Sequence, residues 1–148
     1  MNTPEDTQSV YAQLLTLLFQ SKHRIYKIAE KYDLTMMQST AVTMLSHDNP
    51  KAMRTLSDYF MCDASTVTGL VDRLEARQLI TRANHPTDRR VKLLALTDEG
   101  AELREKIMAE MQQAESERLN GLLSNEERKT LHQLLTKVLS APQDTPHK

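Results

Sequence analysis

The residues of this chain that could do chemistry are hydroxyls and cations, and they fall into two clusters. Ser65, Thr66 and Thr68, with Gly69 and Arg73, share one short run; Arg82, Asp88, Arg89, Arg90 and Lys92 share the next. Hydroxyls donate to or accept from bases and phosphates, and guanidinium groups grip phosphate with a fork of N–H donors. The chemistry on offer is therefore recognition of a polyanion. Bond-making chemistry lacks its parts. Ser46, His47 and Asp48 are consecutive, whereas a nucleophile, base and orienting acid must converge from separate segments. The histidines at 23, 47, 85, 132 and 147 have no metal-ligand spacing among themselves or with Cys62. Gly69, Gly100 and Gly121 lie too far apart for a phosphate loop. No catalytic residue, metal or cofactor is expected, and the chain does not read as an enzyme.

Both clusters need elements to hold them. Val67, Leu70, Val71 and Leu74 fall at i, i+3, i+4 and i+7, which predicts a helix over 63–77 with Asp63 as its N-cap. The hydroxyl cluster lies on the opposite, small-residue face. Leu79–Arg82 and Arg90–Thr97 read as two short strands joined by the turn-rich Asn84–Asp88, so the cationic cluster sits on a hairpin. Upstream, Thr35 and Gln38 form a capping box that opens a helix to about Ser46 with Ala41, Val42 and Leu45 inward. His47–Pro50 breaks it, and a third helix over 55–61 carries Leu56, Tyr59 and Phe60 as apolar contacts. Helix, turn, helix and cationic hairpin make a winged helix-turn-helix over 34–97. Such a unit lays its second helix in the DNA major groove and leans its hairpin over the adjacent backbone or minor groove.

The remaining chain is helical. A helix over 7–31 carries Val10, Leu14, Leu17, Leu18, Ile25 and Ile28, with Leu15 and Phe19 widening the stripe. Thr97 caps a helix to about Leu119, Gly121 is read as a connection, and a capping box at Ser124–Glu127 starts a last helix to Leu139. Residues 1–6 and 141–148 are expected to be loose tails. The fold class is mainly α with a small β-hairpin wing, in one domain of 148 residues. Its apolar terminal helices, 7–31 and 98–139, flank the winged unit in sequence and are expected to interlace with those of a second copy. Such a homodimer sets two recognition helices about 34 Å apart, one duplex turn.

Charge distribution supports a nucleic-acid partner although the net charge is only −1. Residues 65–92 hold six cations against three anions, and residues 98–127 hold three against nine. Local phosphate neutralisation governs affinity, so one basic face suffices. The apolar run Leu14–Phe19 is too short to span a bilayer, and the first residues lack a secretory pattern. With a single cysteine, the expected compartment is the cytoplasm.

The run Val67–Glu75, then Leu79–Arg82, Asp88-Arg89-Arg90 and Leu96-Thr97-Asp98-Glu99-Gly100 resembles the MarR family of bacterial transcriptional regulators. The resemblance covers nearly the whole chain and is most specific at the wing. It implies a homodimeric winged helix-turn-helix whose terminal helices form the interface. It also implies a pseudo-palindromic operator on double-stranded DNA, usually repressed, with release by a small-molecule effector, oxidant or metal. In this picture Arg90 enters the minor groove, where narrowness concentrates negative potential, and Asp88 braces its guanidinium. Arg89 and Lys92 are phosphate contacts or solvated charges, and Arg73 and Arg82 either contact DNA or tie their elements to the scaffold. Many relatives carry a larger polar residue where this chain has Gly69, so base reading would lean on Ser65, Thr66 and Thr68. Two other readings compete: a winged-helix protein–protein interaction module, and a thiol- or metal-responsive switch. For the thiol, no cation flanks Cys62, which favours a packing role.

Overall fold

A computed structural model describes residues 4–140, with side chains from residue 8 onward. The element order is α1 (Pro4–Lys31), α2 (Met36–Met44), β1 (Lys51–Ala52), α3 (Met53–Phe60), α4 (Ala64–Ala76), β2 (Ile80–Asn84), β3 (Lys92–Leu96), α5 (Asp98–Leu122) and α6 (Asn125–Leu139). This is the mainly helical winged architecture expected. α1 starts at Pro4, so residues 4–6 belong to the helix rather than to a loose tail. Proline's fixed φ suits a first helical position. The rest of that expectation, residues 1–3 and 141–148, lies outside the described residues.

Three helices end in the same way. Asp33, Met61 and Gln78 adopt φ of 53°, 49° and 58° after α1, α3 and α4. In each case the next amide reaches back five residues, as Leu34 does to Ala29 at 3.0 Å, Cys62 to Ser57 at 3.2 Å and Leu79 to Leu74 at 3.0 Å. These are Schellman caps without glycine. α2 ends at Met44, earlier than expected, because Leu45 is extended and the Ser46 carbonyl accepts the Leu96 amide at 3.2 Å.

The sheet has three strands in the order β1-β3-β2, all antiparallel. The hairpin register runs from Ile80↔Leu96 to Asn84↔Lys92, and β1 adds Lys51↔Leu94 on the far edge of β3. That third strand is a correction to the two-stranded wing. Two residues are too few to show a period of two.

The core lies beneath α4. Val67, Leu70, Val71 and Leu74 meet Ala41, Val42 and Leu45 of the α2 segment, Leu56 of α3, Ile80, Leu94 and Leu96 of the sheet, and Ile107 of α5. Tyr59, expected inward, is 58% exposed, whereas Phe60 packs partly against the core. On an eight-residue helix only Leu56 is fully buried. The start of α5 is fixed by backbone contact. Thr97 Oγ1 donates to the Gln78 carbonyl at 2.5 Å and accepts the Gly100 amide at 3.0 Å, and Thr97 N–H donates to Leu79 O at 3.1 Å. A Cβ on Gly100 would stand 1.9 Å from the Leu79 carbonyl oxygen, so the Leu-Thr-x-x-Gly run is a packing requirement.

The chain divides into two compact units, residues 1–111 and 112–148. In the first, α1 leaves Tyr11, Leu14, Leu18 and Phe19 exposed. In the second, no residue of α6 is buried, and Leu134, Val138 and Leu139 are open to solvent. Gly121, expected in a connection, lies inside α5. No helix among the described residues is long and apolar enough to cross a membrane.

Candidate nucleic-acid interface

α4 is anchored at its start. Asp63 Oδ1 accepts the Thr66 amide at 2.7 Å and the Ser65 hydroxyl at 2.6 Å. The Ser65 hydroxyl, then the Thr66 amide, hold the Asp63 carboxyl below its ordinary value. Thr68 Oγ1 donates back to Ala64 O at 2.8 Å. The protons of Ser65 and Thr68 are thus turned inward and their lone pairs outward. So arranged, each hydroxyl oxygen is free to accept, and donating outward requires the hydroxyl to rotate away. Ser65, Thr66, Thr68 and Arg73 are all exposed. Beside Gly69, where an added Cβ would meet nothing within 4 Å, the helix borders a concavity of about 570 Å³. Met36 and Met37 of α2 and Arg73 of α4 are among the residues that line it.

The five wing residues divide by what they touch. Arg82 pairs with Asp72, and its Nε lies 3.0 Å from Glu75 Oε2, both carboxylates belonging to α4. Its side chain is only 24% exposed. Of the two roles expected for Arg82, these pairs supply the tie to the scaffold, between strand β2 and helix α4. Lys92 Nζ donates to Asn84 Oδ1 across the hairpin. Asp88 also departs from expectation: its Oδ1 accepts the Arg90 backbone amide at 3.0 Å, and no ion pair joins it to the Arg90 guanidinium. It shapes the turn, together with the Val91 amide on Asp88 O and the His85 amide on Val91 O, both at 3.0 Å. Arg89 and Arg90 are exposed, with no ion-pair partner among the described residues. Their charge is therefore available at the hairpin tip.

Sequence reasoning missed Arg77. At the C-cap of α4 its guanidinium donates to Asp33 O at 2.7 Å and Tyr32 O at 3.0 Å. The Tyr32 hydroxyl in turn donates to Glu110 Oε1 at 2.5 Å, and Lys31 Nζ donates to Oε2 at 2.7 Å. Lys31 and then Tyr32 hold the Glu110 carboxyl below its ordinary value, and Glu110 raises the Tyr32 phenol. The end of α1 thereby links α4 to α5. Nothing in a one-dimensional pattern marks side chain to carbonyl bonds over 44 residues.

Cys62 is half-buried against the core, next to the capping Asp63, and no cation is paired with it. His47, expected in helix-ending capping, has Nδ1 2.9 Å from Asp48 and Nε2 3.5 Å from Asp98. Hydrogen bonding to Asp48 raises its pKa. No group of three metal-ligating side chains occurs among the described residues.

Comparison with known proteins decides the lineage. A family model described as "MarR family" matches residues 34–92. The HTH-type transcriptional repressor NicR of Pseudomonas putida is 30% identical over 144 residues, spanning 97% of this chain and 90% of that protein. The chain belongs to the MarR family. Among solved structures, the Thermotoga maritima transcriptional regulator Tm0710 superposes with a TM-score of 0.72 at 30% identity, covering 89% of this chain and 94% of that one. A mutant of Staphylococcus aureus MepR bound to an oligodeoxyribonucleotide superposes at 0.62 with 26% identity, covering 90% and 98%. For this MarR-family chain the shared part is thus nearly the whole length of each protein.

Proposed function

We propose that this protein is a homodimeric, sequence-specific DNA-binding transcriptional regulator, and that it represses. α4 would read the major groove through Ser65, Thr66 and Thr68, with Gly69 letting a base edge approach and Arg73 on the flank. Arg90 would enter the minor groove, with Arg89 and Lys92 on phosphates. The observation that carries this reading is the exposed, uncommitted pair Arg89 and Arg90 held at the tip of a hairpin that is itself clamped to α4 by Arg82. A cationic tip on a rigid mount is preorganised for a groove. The MepR–oligodeoxyribonucleotide complex supports the DNA partner, and the name of NicR supports repression.

Dimerisation would cover the apolar faces of α1 and α6, assigning 7–31 and 98–139 to the interface and 34–97 to DNA. Release by a small effector accords with a regulator that must leave its operator on a signal. The test is a fluorescence-anisotropy titration on fragments recovered by genome-wide footprinting. Arg90→Ala is expected to weaken operator binding at least about tenfold, a loss of about 1.4 kcal/mol, with an unchanged melting temperature. Undiminished affinity would remove Arg90 from the interface.

A further inference from the structure

Two helix C-termini meet at one side chain. α1 and α4 are each followed by a left-handed residue, Asp33 and Gln78. A helix C-terminus is the negative end of its dipole and leaves carbonyls open. Arg77, the C-cap of α4, serves the end of α1, its guanidinium donating to Asp33 O at 2.7 Å and Tyr32 O at 3.0 Å. Glu110 of α5 holds the same end from another side, Oε1 accepting the Tyr32 hydroxyl and Oε2 the Lys31 ammonium. That end is packed as well as bonded, since Ala29 and Leu34 are buried in the core. Upstream of it α1 is one unbroken helix of 28 residues, and its exposed apolar side chains include Leu14, Leu18 and Phe19.

We propose that Arg77 is a positioning residue that fixes the angle between α1 and the reading helix α4, and with it the half-site spacing that a dimer accepts. Glu110 steadies the α1 end in the same joint. The proposal rests on the dimeric DNA reading above and deepens it. With α1 paired to its copy, each reading helix hangs from the pair through the end of α1. One base pair inserted between half-sites displaces a half-site by about 3.4 Å and about one tenth of a turn. Over the arm from Phe19 to Tyr32, about 20 Å, a swing of about 10° produces the same displacement. Selectivity for spacing therefore requires a joint stiff to within a few degrees. Apolar burial beneath α4 is non-directional, whereas bonds from one planar fork to two adjacent carbonyls hold an angle. Because the Arg77 charge is engaged by carbonyls, it acts through α4 and not on the duplex.

The test is binding by the full-length protein to operators with native spacing, one base pair more and one base pair less, and to a duplex carrying a single half-site. Arg77→Ala should shrink the preference for native spacing at least about threefold. Its affinity for the single half-site, and the salt dependence of that affinity, should match wild type, which a general loss of structure would not allow. Arg77→Lys keeps the cation without the fork and should fall between the two. Glu110→Gln leaves Arg77 in place and should relax the spacing preference by a smaller factor, so the joint is tested even where Arg77→Ala does not fold. If Arg77→Ala folds and keeps the wild-type preference, or if Glu110→Gln keeps it where Arg77→Ala does not fold, the joint is wrong and the DNA reading stands. A flattened salt slope on the single half-site would make Arg77 a phosphate contact and overturn the proposal. If wild type binds every spacing equally, or no duplex at all, the two-fold DNA reading falls and the joint with it.

Discussion

The winged unit and the terminal helices are built to opposite rules. In the winged unit nearly every apolar side chain has an internal partner: Leu45, Leu56, Leu74, Leu94 and Leu96 are at most 2% exposed. Two of its arginines are internally engaged as well, Arg82 by two carboxylates and Arg77 by two carbonyls. In α1 and α6 the apolar stripes face outward, with Phe19 66% and Leu139 71% exposed. An amphipathic helix without a covered stripe has little to stabilise it. The winged unit is therefore covered within one chain, whereas the terminal helices present uncovered apolar stripes.

The sharpest way to break that contrast is a charge on α6. Leu134→Glu should weaken self-association at least about a hundredfold, since each buried leucine contributes about 1.5–3 kcal/mol and a two-fold interface counts it twice. Sedimentation at graded concentrations checks it, and unchanged association would place the interface elsewhere. Next in size is a change confined to the winged unit. Gly100→Ala must displace the Leu79 backbone and should cost about 1–3 kcal/mol in chemical denaturation. Gly121→Ala meets nothing within 4 Å and should instead stabilise by about 0.5–1 kcal/mol. Equal effects from the two alanines would contradict the close approach at Leu79.

A smaller effect separates the two kinds of arginine. Arg82→Ala removes pairs whose carboxylate partners are 57% and 44% exposed, so it should cost at most about 1 kcal/mol of stability. Its charge is already neutralised by Asp72 and Glu75, and the salt slope of DNA binding should stay as it is, unlike that of Arg90→Ala. A flattened slope for Arg82→Ala would return it to the phosphate contacts. Smallest is the acid response. The Glu110 carboxyl is held below its ordinary value in the fold, so its stabilisation is present above that value and lost as pH falls through the lowered one. Glu110→Gln should flatten the decline of the melting temperature on the acid side of pH 4.5. An acid limb identical to wild type would show that Lys31 and Tyr32 do not hold it.

The same contrast explains what the sequence revealed. Periodicity located α4, because its stripe is buried within one chain, and the capping boxes at Thr35 and Ser124 gave their helix starts to the residue. The ends of α1, α3 and α4 were legible to within one residue, although Asp33, Met61 and Gln78 take the left-handed conformation without a glycine. α2 instead stops about two residues earlier, and α5 runs about three residues further, than the pattern indicated. Side-chain roles were least legible. Arg82 and Arg90 have the same chemistry and differ only in whether α4 places carboxylates within reach, and Asp88 turned out to serve an amide. β1 was invisible because strand pairing over 43 residues leaves no local trace in Lys51-Ala52.

The central claim is that two copies hold their reading helices one duplex turn apart. Dipolar electron spin resonance tests it directly, with a nitroxide on a Gly69→Cys variant in a Cys62→Ala background. Gly69 has open space for the label, and Cys62 is the only competing thiol. In the free protein, a distance distribution centred near about 34 Å is the expected result. The absence of any dipolar coupling at micromolar protein, or a distance far from one helical turn, would contradict the account.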